Sequence, residues 1–231
     1  MKNELLSKKL EEFKIYITRF IVKQKSSVKS IHSLRVNGRE LLSLVSADDS
    51  FSTELKKVIK QSNKIRDMDV FIQAYLGSLP KKYILKLDIK TIKKSIKKKR
   101  KKKIKKLRLY LKSLVIPHSA EFERNVRNKS LKSRKIETLN QEELHKYRIY
   151  IKKRLYNEKN STPFDEKRVE VLTKIKDLLG EINDNYNGLK RLKRFAVKHK
   201  LFKEIQDFTN LENLRIFKEF KDIEDEYGYA L

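Results

Sequence analysis

Apolar residues recur at three- and four-residue intervals along almost the whole chain, the period of helices that each bury one face. The pattern predicts helices near 3–23, 27–45, 52–78, 82–116, 119–132, 140–158, 164–199 and 203–227. Turn-forming clusters separate them: Ala47-Asp48-Asp49-Ser50, Gly77-Ser78-Leu79-Pro80, Ile116-Pro117 and Asn160-Ser161-Thr162-Pro163. Asn140 with Glu143 reads as a capping box that opens the sixth helix, and Leu179-Gly180 marks a place where the seventh can break. Five Gly, three Pro and no Trp leave few turn signals and favour long helices over a β sandwich. The expected fold class is all-α.

Within this pattern one small motif occurs twice. His32, Arg35 and Arg39 stand at i, i+3 and i+7, and His145, Arg148 and Lys152 repeat the spacing 113 residues later. On a helix these offsets fall within a sector of roughly 60°, so each copy points an imidazole and two cations one way. A second landmark follows each copy: Ile65-Arg66-Asp67 lies 35 residues after the first His, counted to Asp67, and Ile182-Asn183-Asp184 lies 39 after the second, counted to Asp184. Paired landmarks in one order indicate internal duplication. We expect a single domain over 1–231 made of two four-helix halves, 1–116 and 117–231.

Charge changes the picture further. Lys+Arg outnumber Asp+Glu by 58 to 30, a formal +28. That balance favours phosphate polymers or anionic surfaces as partners. Residues 81–106 hold fifteen Lys/Arg against one acid, Asp88, while the last thirty residues hold eight Asp/Glu against four Lys/Arg. Seven consecutive cations, Lys97 to Lys103, occupy every azimuth of a helix. Projected from Ile96, Arg100 and Lys103 fall on the apolar stripe, where an unpaired charge costs several kcal/mol. Either they meet an anion or a wet channel there, or the helix overhangs its bundle and their stems snorkel outward.

Signals for catalysis are thin. The four His (32, 118, 145 and 199) show no metal-ligand spacing, there is no Gly-rich phosphate loop, and no Cys is present. No cofactor and no metal are implied, and the chain does not read as an enzyme. Glu121-Phe122-Glu123-Arg124 is similar to the ExExK strand of triphosphate tunnel metalloenzymes, but the fifth position is Asn125 and the neighbours are helical. The N-terminus lacks a continuous apolar segment, and no run approaches the length of a membrane span, so a cytoplasmic protein is expected. Gly38 inside the second helix costs about 1 kcal/mol relative to Ala and points to close approach by a helix or a ligand.

These landmarks resemble the CHAD family, the conserved-histidine α-helical domain. Its first signature, H-x-x-R-V-x-x-R, is matched by His32 to Arg39, and its R-D-x-D-V element by Arg66 to Val70. His145 to Lys152 and Leu179 to Asp184 look like the corresponding elements of the second half. Glu40 and Arg154-Leu155-Tyr156 depart from the family pattern at the ends of the motif helices. The resemblance implies two four-helix bundles about a pseudo-two-fold axis, a basic central groove or pore, polyphosphate as ligand, and residence at polyphosphate granules. The expected function is non-catalytic binding of inorganic polyphosphate. His32, Arg35, Arg39, His145, Arg148 and Lys152 are the expected inner contacts, and Arg100 and Lys103 part of a basic wall. Arg66, Asp67, Asp69 and Asp184 are expected to hold these side chains in place or to form ordinary ion pairs. Nucleic acid is the alternative ligand, with Tyr83, Tyr110, Tyr147, Tyr150 and Tyr156 available for stacking.

Overall fold

The computed structural model describes residues 2–22, 27–46, 48–118, 139–159, 165–195 and 197–227. Within them the chain is helical: α1 (Lys2–Val22), α2 (Val28–Leu42), α3 (Ser50–Val70), α4 (Leu76–Ser78), α5 (Lys81–Ile84), α6 (Ile89–Ser113), α7 (Gln141–Lys159), α8 (Glu166–Leu192) and α9 (His199–Tyr227). A π-helical turn, Phe71–Tyr75, joins α3 to α4 without a break. The predicted helix 119–132 lies outside the described residues. No helix among those described is long and apolar enough to cross a membrane.

Polar caps fix where the motif-bearing helices begin. Ser27 accepts the Ser30 amide at 3.1 Å and opens α2. Asn140 accepts the amides of Glu142 and Glu143 at 3.0 Å, and Glu143 returns a bond to the Asn140 amide at 2.9 Å. The capping box is therefore complete, satisfying backbone donors that the first turn leaves open. Asp165 caps α8 through the Arg168 amide at 3.0 Å.

The described residues form two units, one from Met1–Asp69 with Lys90–Val126, the other from Val70–Ile89 with Arg127–Leu231. In the first, α1, α2, α3 and α6 share one core that includes Leu10, Phe13, Phe20, Ile31, Leu34, Leu41, Leu55, Ile65 and Leu107. In the second, α7, α8 and α9 bury Leu144, Ile151, Leu155, Leu172, Ile175, Leu179, Ile216 and Phe220. Full burial of such a side chain stabilises by about 1.5–3 kcal/mol, so these stripes, not the surface charges, hold each unit together.

The second unit also takes in an earlier segment of the chain. Residues 70–89 belong with the later helices because their aromatic side chains pack there. Phe71 stacks on Phe195 at 6.3 Å, Tyr83 tilts against Phe208 at 5.9 Å, and the Tyr75 hydroxyl bonds to Thr209 at 3.3 Å. Burial raises the Tyr75 phenol to about 12, a little offset by the Thr209 bond. Gly188 makes room for that ring: a Cβ there would lie 2.1–2.6 Å from Tyr75 ring carbons.

Two further predicted elements change. The helix expected over 82–116 is split by the turn 85–88, which leaves Leu85 78% exposed and carries Leu87 inward instead. Asp88 then precedes the first residue of α6, where a carboxylate suits the positive end of a helix. The break predicted near Leu179-Gly180 is absent. α8 runs through both residues, and Gly180 is buried under a side chain from α7.

Candidate functional site

The first motif lies on α2, whose buried side carries Ile31, Leu34, Gly38 and Leu41. This leaves His32 exposed at the edge of the helix and Arg35 and Arg39 half-buried beside it. The Arg35 Nε is shielded from solvent. Arg39 donates from Nη2 to the Asn63 side-chain oxygen of α3 at 3.4 Å. Arg66, also on α3, is half-buried and acts on the same imidazole as Arg35. Partial burial first, then the Arg35 and Arg66 charges, lower the His32 pKa below its ordinary 6.5. Burial and neighbouring guanidinium charge both disfavour the protonated imidazole.

Gly38 meets two other helices, with its hypothetical Cβ 3.4 Å from Phe13 and 3.5 Å from Ile59. Of the two readings open in the sequence, close packing of helices is the one observed.

α6 carries the run of cations. Among Lys97 to Lys103, Arg100 and Lys103 are the two partly covered residues, and the other five are exposed. Arg100 grips Asp69 at two points, Nε to Oδ1 at 2.5 Å and Nη2 to Oδ2 at 3.2 Å, with Asp69 only 4% exposed. The anion required by a cation on the apolar stripe is therefore the chain's own carboxylate. The planar fork of Arg100 is matched by that carboxylate, which also anchors α6 on α3. Asp67, two residues earlier, is exposed.

The second motif repeats the arrangement on α7. Leu144, Ile151 and Leu155 are buried, His145 is exposed, and Arg148 and Lys152 are half-buried. The Arg148 Nε is again shielded, and the guanidinium lies across α8 at Gly180, where a Cβ would come within 3.3 Å of Nη2. Asp184, one turn further along α8, accepts from the Asn183 side chain at 3.3 Å.

Sequence reasoning missed Asn63, which carries no charge to mark it, and misread Gly180, whose missing side chain seats Arg148. The candidate stacking tyrosines are engaged in packing. Tyr83 is buried, Tyr147 stacks on Tyr150 and meets Phe220 edge to face, and Tyr110 donates to Glu54. Tyr156 is half-buried on α7. The Glu121–Asn125 segment lies outside the described residues, and among those described no three His, Cys, Asp or Glu side chains stand close enough to hold a metal. No protein-family model matches the chain, nor does any curated protein or solved structure.

Proposed function

We propose that this protein is a CHAD-like module that binds inorganic polyphosphate without cleaving it. One observation carries the reading: the two motif copies share the same gradient from surface to core. In each, the His is exposed, the first Arg is half-buried with its Nε shielded, the next cation is half-buried, and the residue before the His (Ile31 or Leu144) is buried. Chance recurrence of a spacing does not require recurrence of an environment. The pseudo-two-fold arrangement, the basic groove and the residence at granules belong to the same proposal.

In this reading, the inner contacts are His32, Arg35, Arg39, His145, Arg148 and Lys152. Lys103 and the exposed lysines of α6 form the wall, and Asp69 fixes that wall through Arg100. Arg grips phosphate oxygens in bidentate fashion and Lys supplies mobile charge, so no base-reading surface is needed.

The test compares Arg35→Ala with Arg148→Ala against Lys8→Ala with Lys218→Ala, two exposed positions. Lys9 is unsuitable as a control because it bonds to Glu12 and Glu40. The motif pair should lose at least about tenfold in polyphosphate affinity, more than 1.4 kcal/mol, while the control loses little. Equal losses would assign binding to diffuse charge. Tighter binding of single-stranded RNA at matched phosphate and salt would favour nucleic acid, and shortening of the polymer with divalent metal would make the protein an enzyme.

A further inference from the structure

The block of fifteen cations at 81–106 is divided by the fold. Lys81, Lys82 and Lys86 go to the second unit, while the twelve from Lys90 onward stay in the first. In the second unit they join another group. Residues 190–203, at the end of α8 and the start of α9, hold seven Lys/Arg and no acid, and all of these but Arg191 are exposed. α5 and the turn after it are fastened beside the first three turns of α9 by Tyr83 against Phe208 and by Lys86 with Glu204 at 3.7 Å. Phe71 packs between Phe195 and the Arg191 guanidinium, 5.8 Å from its ring, which ties the preceding segment to the end of α8.

We infer that this end of the second unit is a second, separate docking surface for an extended phosphate polymer, an inference that rests on the polyphosphate reading above. It is separate because α8 rises about 1.5 Å per residue, which puts Lys193 roughly 20 Å along the helix from Gly180, where Arg148 lies. A short oligophosphate cannot reach from one place to the other. A long chain held at one place is at high effective concentration for the second, so the two multiply in affinity for long chains alone. The cations sit on flexible stems, and the Phe and Tyr rings among them are buried or half-buried. Such a surface, with no exposed Phe or Tyr ring among its cations, suits a charged backbone better than stacked bases.

The test uses the full chain with Arg194→Gln, Lys198→Gln and Lys200→Gln together. A charge-matched control carries Lys8→Gln, Lys60→Gln and Lys218→Gln, all at exposed positions. Circular dichroism and thermal melts verify that both fold. Each is titrated with tripolyphosphate and with long-chain polyphosphate over a range of salt. The inference expects unchanged tripolyphosphate affinity, a loss on the order of tenfold for the long chain, and a salt slope shallower by roughly 2, three contacts at about 0.7 each. It is overturned if the control loses as much, or if short and long chains weaken equally. In either case, an intact response to Arg35→Ala with Arg148→Ala leaves the motif reading standing. Failure of the unaltered protein to bind polyphosphate overturns both.

Discussion

His32 shows how one residue links charge to ligand. Its pKa lies below 6.5 because of its partial burial and then Arg35 and Arg66, so the folded protein holds less proton there than the unfolded chain. Its contribution to stability is therefore fully present above pH 6.5 and is lost as pH falls through that value toward the folded pKa. A bound polyanion reverses the sign of the local field and raises the same pKa. Polyphosphate affinity should then increase as pH falls from above about 7 toward about 6, and the His32 ring protons should titrate at higher pH in the complex. His32→Gln should flatten the part of the pH dependence that comes from this site. An NMR titration in which His32 is unmoved by ligand would contradict this account.

At the scale of elements, the decisive contact is between α3 and α6. A helix carrying fourteen Lys/Arg and no acid over 89–113 repels itself, and Asp69 offsets that at the point where α6 meets the core. Asp69→Ala removes the buried carboxylate that Arg100 grips and should destabilise the protein by about 3 kcal/mol. Asp69→Ala with Arg100→Ala should cost less than the sum of the single changes, as coupled partners do. Urea unfolding of the four proteins checks this, and strict additivity would show that the pair does not act as a unit. The π turn Phe71–Tyr75 is the other element-scale device. One extra residue in a turn rotates the side chains downstream of it by about 100° about the helix axis.

For the whole molecule, a net +28 opposes compaction while it attracts ligand, so salt should act in opposite directions on the two. Raising sodium chloride from about 0.02 to 0.2 M shortens the Debye length from roughly 20 Å to below 10 Å. The melting temperature should rise as self-repulsion is screened, while polyphosphate affinity falls steeply as less counterion release is gained. Thermal melts and binding isotherms across one salt series check both. A melting temperature that falls throughout would mean that ion pairs outweigh repulsion.

Local rules, acting within a few residues, determined much of this protein from its sequence. The apolar period fixed the all-helical class, and Asn140 with Glu143 fixed the start of α7. The projection from Ile96 selected Arg100 and Lys103 as the partly covered residues in a run of seven similar side chains. The two motif copies were legible because a helical spacing determines which side chains share a face. Tertiary structure alone decided what those faces meet: that Arg100 finds Asp69, thirty-one residues away, that Gly180 seats Arg148 without breaking its helix, and that residues 70–89 join the later helices. Each depends on packing between segments distant in sequence. Aromatic and guanidinium groups have many possible partners there, and periodicity along the chain carries no information about which one is chosen.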